Sequence, residues 1–206
     1  MMSAELQLDA LHRAYREWAG EPFSVSTFRN QTGPIDAFHA LDVLCYRTAD
    51  EDRLDPGSAF TFFATAGLSV QGSQDDEERV ELIWRVTGRR SWPEIQALAQ
   101  ALATIAALPL YGSAIFVPGA IIRNISLPVF DRMDSLIVTH WGVHSPEYLP
   151  RIDPPVLLLE IKALFPNEAL LAECVGEREI CQRLLLESLD WNDPTRPAAG
   201  FGGQAQ

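Results

Sequence analysis

Apolar and polar positions alternate with a period of two over two neighbouring stretches of the chain. Phe60, Phe62, Ala64, Ala66, Leu68 and Val70 fall on one face, and Thr61, Thr65 and Ser69 on the other, with Phe63 the exception. Val80, Leu82, Trp84 and Val86 then alternate with Arg79, Glu81, Ile83 and Arg85. Two such runs joined by a polar link predict an antiparallel hairpin with one buried face. The link, residues 71–78, is too long and too charged for a tight turn and is expected to project into water. An isolated hairpin is marginal in water, so the segments around it must supply its cover.

A period near 3.6 takes over elsewhere. Leu8, Leu11, Tyr15 and Trp18 predict an amphipathic helix over residues 5–18, stopped by Gly20 and Pro22. Ser91, Pro93 and Glu94 have the spacing of a capping box with proline just inside the helix. Ile95, Leu98, Leu102, Ile105 and Ala106 continue it as one apolar stripe, which Pro109 ends and which is expected to lie across the sheet. Residues 21–34 read as loop, and 42–47 as a strand returning to the core. Residues 49–58, acidic with Pro56 and Gly57, read as a solvated loop.

Short strands are expected over 113–117, 121–125 and 136–140, with a surface loop over 141–154. The apolar run 156–161 predicts a central strand covered on both faces. Asn167 is the expected N-cap of a short helix ending at Gly176. A second helix is expected over 177–190, with Ile180, Leu184 and Leu185 inward. The Pro/Gly/Ala/Gln-rich tail, 192–206, is expected to be disordered. Strands, a helix, more strands and then helices make an α+β class, a mixed, mostly antiparallel sheet with helices packed on it. Residues 1–191 are expected to form one domain with its core over about 38–186.

Composition narrows the function classes. The 206 residues are 47% hydrophobic and 21% charged, ordinary for a globule with a real core. A net charge of −12 and a pI near 4.7 argue against nucleic-acid binding, which requires a basic face; on charge alone the acidity reads as conferring solubility, and it permits a basic protein partner. Cys45, Cys174 and Cys181 show no disulfide spacing, and neither a secretory signal nor a membrane span is visible. A cytoplasmic location with reduced thiols is expected.

Catalytic chemistry finds little support in the motifs. His140 and His144 are four apart, but Gly142 and Pro146 break the helix that a zinc-binding pair needs, and the partner glutamate is missing. No metal and no cofactor are expected. Cys45 lies in a predicted strand without a histidine in a nucleophile pattern, so it reads as a buried structural thiol. Ser69, Ser113 and Ser126 lack a G-x-S-x-G elbow, and no phosphate-binding glycine loop is present. No catalytic residue is assigned.

The order of the segments carries more than any one of them. Thr65-Ala66-Gly67-Leu68-Ser69, an acidic gap, then Arg79-Val80-Glu81-Leu82-Ile83 resembles the opening pair of the Suppressor of fused domain. The helix from Trp92, Tyr111-Gly112 and the strand around Leu136 and Val138 continue that resemblance. Val156 to Ile161, the corner Leu164-Phe165-Pro166-Asn167-Glu168 and the helix past Gly176 resemble its closing signature. The resemblance implies a mixed sheet with flanking helices and supplies no catalytic motif. Animal members are two-domain proteins that hold a transcription factor between the domains, and this chain is expected to lack room for the second. Stand-alone bacterial members resemble immunity proteins that neutralise toxins of polymorphic or contact-delivered systems.

The resemblance therefore implies an immunity protein that occludes a cognate toxin, with a small metal-dependent hydrolase using His140 and His144, or an intracellular scaffold, as alternatives. Exposed loops on a rigid scaffold are where such a protein would bind. Asp75, Asp76, Glu77 and Glu78 are expected to steer a basic toxin. Trp141, His144, Glu147, Tyr148 and Arg151 are expected to supply the anchoring contacts, because interface hot spots are rich in Trp, Tyr and Arg. The opposing reading is that Trp141 and Tyr148 are tucked against the body.

Overall fold

The computed structural model describes residues 3–29, 41–47, 59–70, 79–112, 115–140 and 147–200. Helix α1 (Ala4–Ala19) is followed by strands β1 (Ser24–Phe28), β2 (Leu41–Arg47), β3 (Phe60–Ala66) and β4 (Val80–Thr87). Then come α2 (Trp92–Ala106), β5 (Ile121–Ile122), β6 (Ser135–His140), β7 (Leu157–Leu164), α3 (Pro166–Val175) and α4 (Glu177–Leu186). The strands form one sheet in the order β1-β2-β3-β4-β7-β6-β5. Every pairing is antiparallel except β4 with β7, so the sheet is mixed and mostly antiparallel.

Both faces of this sheet are covered. On one, Ile95, Leu98, Leu102 and Ile105 of α2 pack with Val43, Phe63, Leu82, Trp84, Leu159 and Ile161. Phe130 joins them, its ring stacked on Trp84 with centroids 5.6 Å apart. On the other face, Leu11, Ala14 and Tyr15 of α1 meet Leu44, Tyr46, Ala64 and Ile83. Farther along that face, Ala169 and Ala172 of α3 and Ile180 and Leu184 of α4 cover Ile137 and Leu164.

This two-sided burial corrects the expected hairpin. The register sets Phe63 opposite Trp84, Ala64 opposite Ile83 and Phe62 opposite Arg85. Phe63 is therefore a core residue beside Trp84, and the Phe62–Ala64–Ala66 row belongs to the opposite face. With helices on both sides, alternation of hydrophobicity no longer reports inside against outside. The first strand also ends sooner than expected, because Leu68–Val70 is a 3-10 turn.

Other boundaries move for local reasons. Strand β1 lies inside the stretch expected to be loop: as a sheet edge it buries little and shows only Val25 and Thr27 alternating with half-buried Ser24, Ser26 and Phe28. The strand expected over 113–117 is absent at 115–117, and 113–114 lie outside the described residues. Only Ile121–Ile122 of the stretch 121–125 pairs, with Ile137 and Leu136. Helix α4 stops at Leu186, leaving Leu185 exposed rather than inward.

Phe165, not Asn167, stands at the N-cap of α3, since Pro166 fits the first helical position. Phenylalanine has no acceptor to offer, so the end is closed from inside: the Glu168 carboxylate accepts the Phe165 N–H at 3.1 Å. The tail expected to be disordered from residue 192 is placed through Gly200. Arg196 is buried against Glu168, and the Ala199 N–H donates to the same carboxylate at 2.8 Å.

Candidate functional site

Strands β4 and β7 lie side by side and run parallel, with Val80 opposite Leu157. The chain therefore enters both strands at the same end of the sheet. Of the two segments expected to bind a partner, the described part, Glu147–Arg151, lies in the stretch that leads into β7.

Arg79 ties the two entrances together. Its carbonyl accepts the Leu157 N–H at 2.7 Å, its Nε donates to the Ser69 carbonyl at 3.2 Å, and its NH1 donates to the Pro154 carbonyl at 3.1 Å. Burial lowers the Arg79 pKa, while the negative charge of Glu81 works against that shift.

Glu81, fully buried, is the keystone beneath the rim. Its carboxylate accepts the hydroxyls of Thr65 and Ser69 at 2.6 Å each and the N–H groups of Gly67 and Ser69 at 3.0 Å each. Burial raises its pKa, and the four hydrogen bonds oppose that rise. Thr65 Oγ1 also accepts the Leu82 N–H at 2.8 Å. A saturated acceptor of this kind pins the 3-10 turn that leads toward residue 71, because unpairing any donor would leave a buried polar group unsatisfied.

The second loop is fastened by its backbone. Tyr148 bridges to Leu157, the Leu149 N–H donates to the Val156 carbonyl at 2.8 Å, and the Leu158 N–H donates to the Glu147 carbonyl at 2.9 Å. Leu149 is buried, while Tyr148 keeps 39% of its surface exposed. Arg151, with φ of 60°, reaches Glu17 in the last turn of α1 at 2.6 Å, and both side chains face solvent. Glu147, Tyr148 and Arg151 thus stand together at the rim. Asp75, Asp76, Glu77, Glu78, Trp141 and His144 lie outside the described residues.

Sequence reasoning missed Ser69, Arg79, Glu81 and Glu17. A signal for the first three was present: a glutamate inside an apolar strand, preceded by Thr65 and Ser69 on the polar face of the facing one.

A second buried carboxylate lies farther along the same sheet. Glu160, in the strand read as almost wholly apolar, is fully buried between Arg85, at 2.7 and 3.2 Å, and Lys162, at 2.9 Å. Charges removed from water need such partners, so this cluster satisfies the sheet itself. His140 is exposed at the end of β6, and among the described residues no group of three or more His, Cys, Asp or Glu side chains is placed to hold a metal. No described helix is long and apolar enough to cross a membrane.

Comparison with known proteins agrees with this architecture. The sequence profile of the family described as Suppressor of fused protein (SUFU) matches residues 38–197. Among solved structures, a suppressor of fused homologue from Neisseria gonorrhoeae FA 1090 superimposes with a TM-score of 0.68 at 14% identity, covering 97% of this chain and 100% of its own. The Sufu-Fu complex gives a TM-score of 0.59 at 17% identity, over 96% of this chain and 92% of the other. Drosophila Suppressor of Fused gives 0.60 at 15% identity, with 94% of this chain aligned to 50% of that one. No curated protein matches in sequence.

Proposed function

The chain belongs to the Suppressor of fused protein family, and from that premise we propose that it works by binding a protein partner, as an immunity protein that neutralises a cognate bacterial toxin. The observation that carries this reading is the rim where β4 and β7 begin side by side, with Arg79 holding the backbone of both entrances and Glu147, Tyr148 and Arg151 standing beside them. That rim is rigid below, through Glu81 and Arg79, and chemically varied above, the arrangement expected of a scaffold that presents a recognition surface. Fu binding by a relative of the same fold supports the coarser part of the proposal, and the finer part is what the sequence resemblance implies.

Neutralisation would be stoichiometric. The preformed rim covers the toxin's active site or another essential surface, and loop side chains set which toxin fits. A net charge of −12 accelerates encounter with a basic toxin.

The test is capture of the partner of the full chain from its source cells, followed by expression of that partner with and without the chain. A partner that arrests growth alone and is harmless with the chain supports the immunity reading. A harmless partner supports a scaffold and overturns it.

A further inference from the structure

We propose that Glu81 is a proton-operated latch on the β4/β7 rim. Charged, it holds the Leu68–Val70 turn and, through that turn, the entrances of both strands. Protonated, it releases the turn and donates instead to Tyr15 of α1. The latch rests on the rim being the recognition surface only for its consequence, and its test needs no partner, so it stands or falls apart from the immunity reading.

The donors around Glu81 leave no place for a proton within the turn. Its Oε1 accepts the N–H groups of Gly67 and Ser69 and the Ser69 hydroxyl, and its Oε2 accepts the Thr65 hydroxyl. A carboxylate only accepts, whereas a protonated carboxyl carries an O–H that must donate. Each of these neighbours already donates to Glu81, so an added proton displaces at least one of them. Thr65 shows the conflict. Its Oγ1 also accepts the Leu82 N–H at 2.8 Å, and a Glu81 O–H aimed at that oxygen would leave the Thr65 proton without its acceptor. Release at Ser69 then spreads. The Ser69 carbonyl accepts Arg79 Nε at 3.2 Å, and the same guanidinium reaches the Pro154 carbonyl at 3.1 Å. One proton thus bears on the turn, on the start of β4 and on the approach to β7.

The surroundings favour the neutral form. Glu81 is fully buried on the α1 face of the sheet, two residues before Ile83. Among the described residues, the titratable groups bearing on it are Tyr15 from α1, with Tyr46 of β2 beside it, and Arg79 at the start of β4. Strand β3 and the turn bring neutral hydroxyls and amides, and β7 sets Leu158 opposite. Arg79 gives its Nε and NH1 to carbonyl oxygens. Burial accordingly lifts the Glu81 pKa above its ordinary 4.5, against the pull of the four hydrogen bonds. A carboxyl whose pKa is raised by folding takes up its proton while the fold is intact, since its contribution to stability is present at low pH and lost as pH rises through the folded value. The release is therefore local, and it occurs at a higher pH than the protonation of Asp42, whose carboxyl is held below 3.8.

Tyr15 supplies the other position of the latch. Its hydroxyl is buried and has no hydrogen-bond partner among the described residues. Burial, and then the negative charge of Glu81, raise its pKa, so the phenol stays neutral. A buried hydroxyl without a partner is unfavourable, and the O–H of a neutral Glu81 is the donor that its oxygen lacks.

The test is an NMR titration of the isotope-labelled full chain from about pH 7.5 down to about pH 4. The Glu81 carboxyl signal should titrate above the ordinary glutamate range, with the Gly67 and Ser69 amide and Arg79 Nε–H signals moving at the same midpoint. Protection of the Gly67 and Ser69 amides from hydrogen exchange should fall about tenfold across that midpoint, while protection of the Ile83 amide holds. Glu81→Gln, a neutral side chain of the same shape, should show the released pattern at every pH. Tyr15→Phe removes only the alternative acceptor and should lower the midpoint. A Glu81 that stays charged until the whole chain unfolds overturns the proposal. So do Gly67 and Ser69 amides indifferent to its titration, full protection of them in Glu81→Gln, or a midpoint unmoved or raised in Tyr15→Phe. Should Glu81→Gln fail to fold, the wild-type and Tyr15→Phe titrations decide.

Discussion

Arg196 meets both carboxylate oxygens of Glu168 at 2.7 Å, in a place where their side chains are only 2% and 0% exposed. Glu168 is at once the internal cap of α3, the counter-charge of Arg196 and the acceptor for the Ala199 N–H. Arg196 also donates to the Ala163 carbonyl at 3.2 Å, and so fastens the segment 192–200 across the end of β7. Breaking one side of a buried pair strands the other charge. Arg196→Ala should therefore cost about 3–5 kcal/mol in urea denaturation. Glu168→Leu combined with Arg196→Met should recover only part of that loss, because no unpaired charge remains but the buried Phe165 and Ala199 N–H groups lose their acceptor.

Phe63 and Trp84 are cross-strand partners on the α2 face, and Phe130 stacks on the indole. Both Phe63→Ala and Trp84→Ala should lower stability by about 3–5 kcal/mol, measured by chemical denaturation. A hairpin with only the Phe62 row buried would leave Phe63→Ala nearly silent, so the pair of variants tests the register directly.

The strands and helices with strong periodicity were legible: α1, α2, β2, β4, β6 and the central β7 all appear close to where the pattern put them. What escaped was whatever depended on distant partners. Strand β1 has no apolar alternation because it is an edge that only β2 orders. The packing of 192–200 follows from one ion pair across 28 residues, which composition does not encode. For the candidate rim, side-chain chemistry suggested two loops, but only the parallel pairing of β4 with β7 could bring the entrances of those strands together.

Cys45 and Cys174 should separate cleanly in reactivity. Burial pushes the Cys45 pKa up to about 11, so at pH 8 it is almost wholly protonated as well as shielded. Cys174 is exposed on α3. A disulfide-exchange reagent at pH 8 should modify Cys174 in the native state and reach Cys45 only on unfolding, as read by peptide mass mapping. Rapid native modification of Cys45 would mean that β2 is not where it is placed.

Asp42 and His12 join α1 to β2 at 2.7 Å. Burial alone would raise the Asp42 pKa, but hydrogen bonds from His12 and Thr27, with the charges of His12 and Arg29, hold it below its ordinary 3.8. A depressed carboxyl contributes stability that is present above its unfolded value and lost as pH falls through the lower folded one. The acid limb of unfolding, below about pH 4, should thus include this pair. His12→Leu should weaken that part of the acid dependence, seen as a shallower slope of denaturation midpoint against pH.

The rim offers a way to separate affinity from steering once its partner is in hand. Tyr148 is anchored through its backbone to Leu157 while much of its ring remains exposed, and Arg151 pairs with Glu17 in solvent. Neither side chain belongs to the buried core, so Tyr148→Ala should leave the Tm nearly unchanged while weakening partner binding by about 2 kcal/mol or more, the scale of a hot spot. Arg151→Ala should be similarly benign for folding, since an exposed ion pair contributes at most about 1 kcal/mol. Trp141→Ala tests the other aromatic of that loop in the same assay. Replacing Asp75, Asp76, Glu77 and Glu78 with serine acts on encounter instead: the association rate should fall and lose part of its dependence on salt, with dissociation little changed. Stopped-flow association at two salt concentrations and a dissociation chase distinguish the two effects. If a variant carrying both sets of changes binds its partner and protects as well as the wild-type chain, the rim is not the binding surface, whatever the partner proves to be.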